Sequence, residues 1–221
     1  MINDPVTVRL RRERYWVSIA DSDAIYYLKG LAEGLKLNVR VFEPDINILS
    51  IQGPKSEILI ERMFGKEILG IKFFKHKKIE FLGKEMIIAR SGWSHQLCYE
   101  IYVDGSSYGE ALWDELFKLG KDLDVKAGCP NLIERIESGL LSYGNDINSS
   151  HTPYEAGLGR FLSSGVSKSC LAFDSLNNKS NPDKMIKPIQ ISGKPIAPIT
   201  YWVDIKNFSG DIVGQVSSAA W

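Results

Sequence analysis

The run ARSGWSHQLCYEIYVDG, residues 89–105, sets a tryptophan, a histidine and a glutamate within eight residues of one another. Trp93 offers a wide π-face that can stack on a planar ring or receive a cation. Glu100 carries a carboxylate able to accept two neighbouring N–H donors lying in one plane. Strict alternation puts Cys98, Glu100 and Tyr102 on one strand face and Tyr99, Ile101 and Val103 on the other. The glutamate therefore lies opposite the aliphatic face and points to solvent or to a cavity. An ordinary half-buried hairpin with a packed tryptophan and a solvated glutamate gives the same pattern, so the run alone leaves both readings open. His95 has no partner in the sequence and reads as a loop residue.

Other residues of chemical interest are scattered. Asp4 precedes Pro5 near the start; a carboxylate there can orient an amine or steady a cation while charge redistributes, and it can equally just open a strand at a turn. In NLIERIESGLLSYGND, Arg135 has Glu134 and Glu137 as near neighbours, and Tyr143 and Asp146 fall at a glycine-marked helix end. His76, His95 and His151 form no i, i+4 pair, so no metal site is expected. Cys98, Cys129 and Cys170 are odd in number and lack a C-x-x-C spacing, which reads as reduced thiols.

The elements that must position these groups follow from pattern. Residues 6–21 alternate around a charged centre at Arg11 to Arg14 and predict a hairpin. DSDAIYYLKGLAEGL predicts a helix, N-capped by Asp21 or Ser22 and stopped near Gly34. NVRVFEPDINILSIQGP returns to strand, KSEILIERMFG predicts a helix closed by Gly65, and strands fill residues 71–103. GEALWDELFKLGKDL and NLIERIESGLLSYG predict two further helices. Beyond residue 181 prolines punctuate short strands in MIKPIQISG, ITYWVDI and DIVGQVSSAAW.

With 221 residues, 44% hydrophobic and 24% charged, the chain can bury its own core. No apolar run approaches the roughly 20 residues of a membrane helix, and the N-terminus lacks a signal-peptide core, so a cytoplasmic location is the expectation. Formal net charge is zero, which removes any long-range pull toward nucleic acid. The local exception, KFFKHKKIEF at residues 72–81, interleaves lysines with aromatics as some single-strand binders do. Short alternating strands with a solvated lysine face give the same composition. The chain opens within a few residues of its first strand and stops on Trp221 after an apolar segment, so truncation at both ends is expected, with self-association through open sheet edges left open.

Taken together, MINDPV, RYWVSIADSD, EPDINILSIQGPKS, ARSGWSHQLCYEIYV, KAGCPNLIERIESGLLSYGND and TPYEAGLGRFL resemble, in order and spacing, the folate-dependent aminomethyltransferase family of the glycine-cleavage T-protein. NDPV, SIADSD and GCPNLIERIE look more like its dimethylsulfoniopropionate demethylase branch. The resemblance implies an α+β fold: mixed α/β lobes of the folate-binding type followed by an incomplete β-barrel-like lobe. The expected divisions are residues 1–44, 45–145 and 146–221. It implies tetrahydrofolate as cofactor, a small-molecule methyl donor, and transfer of a one-carbon unit to N5 of the folate.

By the same resemblance Asp4 takes the place of the second acid of the family's DD pair at the reacting centre, and Asn3 replaces the first. Glu100 matches the glutamate that reads the pterin edge, Trp93 stands where the T-protein has tyrosine and is able to stack on the pterin or flank the substrate, and Tyr143, within a matching SYGND motif, is implied to bind the cofactor. Asn131 stands where the T-protein has a folate-holding arginine, and Arg135, one turn along the helix, is the residue able to substitute or to act structurally. Leu97 and Cys98 replace a glycine-permissive bend. The implied activity is dimethylsulfoniopropionate demethylation yielding a methylthio acid and 5-methyltetrahydrofolate. A T-protein aminomethyltransferase, a dimethylglycine- or sarcosine-type demethylase, and a non-catalytic folate-binding protein or inactive fragment are the alternatives.

Overall fold

A computed structural model describes residues 1–19, 23–129, 131–162, 168, 170–178, 180–199 and 201–220. The proposed caps Asp21 and Ser22, and the terminal Trp221, lie outside the described residues. Two units emerge, one formed by residues 36–138 and the other by residues 1–35 together with 139–221.

Period-2 patterning builds the middle unit. Strands β3 (Ile46–Ile51), β4 (His76–Phe81), β5 (Lys84–Ala89) and β6 (Tyr99–Asp104) form an antiparallel sheet in the order β3-β6-β5-β4. Its apolar face carries Ile79, Met86, Ile88, Tyr99, Ile101 and Val103, which pack with Leu59 and Ile60 of α2 (Ser56–Phe64) and Leu112 and Leu116 of α3 (Gly109–Leu119). Gly65 closes α2 at φ +89°, a conformation that favours glycine. Helix α4 (Leu132–Glu137) is shorter than its apolar spacing suggests. The Ser138 hydroxyl turns away to donate to the Ser94 carbonyl at 2.6 Å, and Gly139 enters the left-handed region at φ +66°.

The other unit holds the expected hairpin of β1 (Val6–Arg11) and β2 (Arg14–Ser18), followed by α1 (Ala24–Gly34). Its later part contributes the short α5 (Phe173–Asn177) and a hairpin of β7 (Val203–Lys206) and β8 (Ile212–Val216). The buried Asp146 carboxylate accepts hydrogen bonds from the Ser217 and Ser218 hydroxyls at 2.6 Å each and from the Ser142 N–H at 2.9 Å. The architecture is mixed α and β, and among the described residues no sheet closes into a barrel.

Two expected strands do not form. Residues 38–42 alternate as a strand does but meet no partner strand among the described residues, and MIKPIQISG stays irregular. Pro188 lacks the N–H that a ladder needs. The solvated lysine reading holds on β4, where Lys77 and Lys78 are exposed, although the strand begins only at His76.

Because Leu112 is fully enclosed between α3 and the sheet, Leu112→Ala is expected to cost about 3 kcal/mol through lost transfer energy and a residual cavity. Urea denaturation followed by circular dichroism measures this; a loss below about 1 kcal/mol would contradict the packing.

Candidate functional site

Glu100 sits between Ser50 on β3 and Ala89 on β5 in the antiparallel register. Its neighbours Tyr99 and Ile101 enter the helix-covered core, so Glu100 belongs to the opposite face, as alternation requires. The side chain is half-buried. Among the described residues its carboxylate accepts a hydrogen bond from the Ser91 hydroxyl and from no other group. Desolvation lifts the carboxyl above the ordinary glutamate value, and the Ser91 hydrogen bond pulls it partly back. The Ser91 bond falls on one carboxylate oxygen, Oε2.

The loop carrying Trp93, residues 90–98, joins β5 to β6. At its root the Arg90 guanidinium donates to the Tyr99 hydroxyl at 2.8 Å, pairs with Glu57 at 3.1 Å and lies 4.6 Å from the centroid of the Tyr99 ring. Further along, the Gly53 N–H donates to the Gln96 carbonyl at 2.7 Å and the Ser56 hydroxyl to the Leu97 carbonyl at 2.6 Å. These bonds hold His95 and Leu97 at φ +55° and +52°, conformations that side chains disfavour. Leu97, expected at a glycine-permissive bend, takes the left-handed conformation despite its side chain. Gly92 is required on space alone, since a Cβ there would fall 2.3 Å from the Cβ of Cys98.

Trp93 is 40% exposed, so it lies at the surface and not in the core. The guanidinium of Arg135 lies 5.6 Å from its ring centroid, and Arg135 itself is only 1% exposed. The sequence offered Glu134 and Glu137 as its partners, yet the Glu134 carboxylate instead receives Gln52 Nε2 at 3.0 Å. Asn131, expected to stand at the position of a family arginine, is the N-cap of α4: its Oδ1 accepts the Glu134 N–H at 2.8 Å. His95 does meet a neighbour, an edge-on contact with the Phe73 ring at 6.4 Å.

Asp4 and Tyr143 belong to the other unit. The Tyr143 hydroxyl donates to the Met1 carbonyl at 3.2 Å, and the Met1 ammonium to the His151 carbonyl at 2.6 Å, which ties down the segment bearing Asp4. Asp4 is exposed as a residue, but enough of the chain closes around its carboxylate for desolvation to raise its pKa, with its own backbone N–H opposing. The amide nitrogen of Asn3 beside it is buried without a hydrogen-bond partner among the described residues. The structure therefore brings Trp93 and Arg135 into contact, sets Glu100 at the end of the same loop, and fixes Tyr143 against the start of the Asp4 segment.

Sequence reasoning passed over Ser91, Ser94 and Gln52. The available signal was the polar run Ser50 and Gln52, which continues the Glu100 face by period 2 past the end of β3.

Residues 1–165 match the family described as GCVT N-terminal domain. The chain belongs to this family. Over 222 residues it is 45% identical to the dimethylsulfoniopropionate demethylase of Ruegeria pomeroyi, covering 99% of this chain and 60% of that protein. It is 27% identical over 231 residues to an aminomethyltransferase of Streptomyces avermitilis, covering 100% of this chain and 61% of that protein. The crystal structure of glycine cleavage system aminomethyltransferase T from Bartonella henselae shares the fold, with a TM-score of 0.68 at 19% identity over 100% of this chain and 60% of that one. The chain thus spans about 60% of the length of these GCVT relatives, and the membership expected from the six motifs is borne out. Among the described residues no helix is long and apolar enough to cross a membrane.

Because the folded state holds the Glu100 proton more tightly than the unfolded chain does, this group favours folding below the ordinary value of 4.5 and loses that contribution as pH rises through its elevated value. Glu100→Gln keeps an oxygen for Ser91 and carries no charge. It is expected to be more stable than the wild type at neutral pH, with the advantage vanishing as pH falls below the unfolded glutamate range. Urea midpoints across that range measure it, and a pH-independent difference would contradict the desolvation.

Proposed function

We propose that this chain forms part of a tetrahydrofolate-dependent methyltransferase that demethylates dimethylsulfoniopropionate. The observation that carries the reading is the Glu100 carboxylate: half-buried, desolvated, bonded by Ser91 and open to further donors. A pterin edge presents adjacent coplanar N–H groups, so the chemistry of this acceptor fits folate. Trp93 would offer its exposed indole as a stacking wall, backed by the Arg135 guanidinium on one side of the ring.

Held by Glu100 and Trp93, tetrahydrofolate would supply N5 as acceptor of the methyl group, with the C–S bonding pair left on the sulfonium sulfur and the N5 proton given up. Such a methyl group is already activated, so the protein's task is alignment more than acid–base work. Asp4 is assigned to the reacting centre, where its desolvated carboxylate would attract a cationic donor more strongly than a solvated one could. Tyr143 would serve by anchoring the segment that carries Asp4. Support for the sulfonium donor comes from the 45% identity to a protein named for that reaction, against 27% to an aminomethyltransferase of similar coverage.

Glu100→Ala is expected to weaken tetrahydrofolate binding by tenfold or more in calorimetry, and unchanged affinity would remove Glu100 from the site. In a version extended to the length of the relatives, Asp4→Asn is expected to leave folate affinity within about twofold and to slow methyl transfer at least about tenfold. The deciding assay follows 5-methyltetrahydrofolate formation with dimethylsulfoniopropionate, dimethylglycine or sarcosine as donor. Product from either amine alone would replace the sulfonium reading with the aminomethyltransferase-type one.

A further inference from the structure

Gln52 links three pieces of the middle unit with one side chain. Its Oε1 accepts from the Ser94 hydroxyl at 2.8 Å and from the Cys98 thiol at 3.2 Å, while its Nε2 donates to Glu134 at 3.0 Å. Ser94 directly follows Trp93, and Glu134 directly precedes Arg135. Both members of the Trp93–Arg135 pair are therefore one residue from a group that Gln52 holds. The loop also needs restraint, because His95 and Leu97 sit in the left-handed region and Cys98 is pressed against Gly92.

We propose that Gln52 is a positioning residue that sets Trp93 over Arg135 and thereby shapes the wall against which the folate ring packs. The ligand in this statement rests on the folate reading above; the positioning of the indole does not. Among the described residues the Gln52 side chain bonds Ser94, Cys98 and Glu134, and it acts on Trp93 and Arg135 through these neighbours. The Ser138 hydroxyl, bonded to the Ser94 carbonyl at 2.6 Å, is a second tether from the α4 side. It keeps the loop seated when Gln52 is changed, so the expected defect is a misplaced indole in a folded protein.

The geometry offers its own rescue. Gln52→Glu keeps acceptor oxygens for Ser94 and Cys98 but sets two carboxylates against each other at residue 134. Combining it with Glu134→Gln restores an N–H donor between the two positions, with donor and acceptor exchanged. Two readouts are taken on the full chain for the wild type, Gln52→Leu, Gln52→Glu and the Gln52→Glu/Glu134→Gln pair. One is the fluorescence of Trp93, isolated by subtracting the Trp93→Phe counterpart of each protein. The other is calorimetric affinity for tetrahydrofolate, with thermal unfolding recorded alongside.

Both single variants are expected to shift the Trp93 emission toward that of a solvent-exposed indole and to weaken tetrahydrofolate binding roughly tenfold, the pair returning both toward wild type. A purely structural role would lower the unfolding temperature without moving the Trp93 signal, and that result overturns the proposal. Unchanged Trp93 emission in both singles, or a pair no better than Gln52→Glu, overturns it as well. If Gln52→Leu fails to fold, the Gln52→Glu and paired proteins decide. If wild type itself binds no tetrahydrofolate, the folate reading fails, and the positioning of Trp93 stands or falls on the fluorescence alone.

Discussion

The placement of Glu100 and of the loop that leads into it hangs on one register. With Leu49 opposite Ile101, Ser50 opposite Glu100 and Ile51 opposite Tyr99, the β3–β6 ladder sorts alternate residues to opposite faces. A slip of one residue would drive the Glu100 carboxylate toward Leu59, Ile60 and Leu112 and expel Tyr99 and Ile101 from the core. Burying an unpaired charge there would cost several kcal/mol, as would the lost apolar burial. The hydrophobic face is thus what enforces the placement of the polar one. The same sorting sets Ser50 and Ala89 on either side of Glu100, small residues that leave room beside its carboxylate.

Around this fixed strand the chain accepts local penalties. Glu100 is desolvated, two non-glycine residues adopt left-handed backbone, and Arg135 is enclosed with its charge. Each is offset by specific contacts: Ser91 on the carboxylate, Gly53 and Ser56 on the loop carbonyls, the indole on the guanidinium. Left-handed non-glycine backbone also occurs at Lys36, Phe74, Leu82 and Asp124, and it is the coincidence of such strain with desolvation around this strand that resembles functional sites.

What the sequence discloses and what it hides divide along contact range. The faces of β6 follow from period 2, and the ends of α2 and α3 from Gly65 and Gly120, because these are local matters of backbone geometry. The six motifs carried the family without any structure. By contrast, the Trp93–Arg135 contact joins residues far apart in the chain, and the Gln52 bonds reach across 42, 46 and 82 positions. No periodicity encodes such pairings. Asn131 shows the limit from the other side: its similarity to a family arginine position suggested a lost ligand contact, whereas its short amide also makes it a helix cap, with Glu134 three residues on. Residues 38–42 and 185–193 had strand-like composition and lacked a neighbouring ladder to join.

The enclosure of Arg135 beneath the Trp93 ring has a consequence for how the site responds to its surroundings. A guanidinium at 1% exposure is out of reach of the mobile ions that neutralise surface charges within a Debye length of roughly 8 Å at physiological ionic strength. Its field crosses the indole, a low-dielectric medium in place of water. Whatever attraction this cation lends should therefore persist in concentrated brine, where contributions from the exposed lysines of β4 fade away.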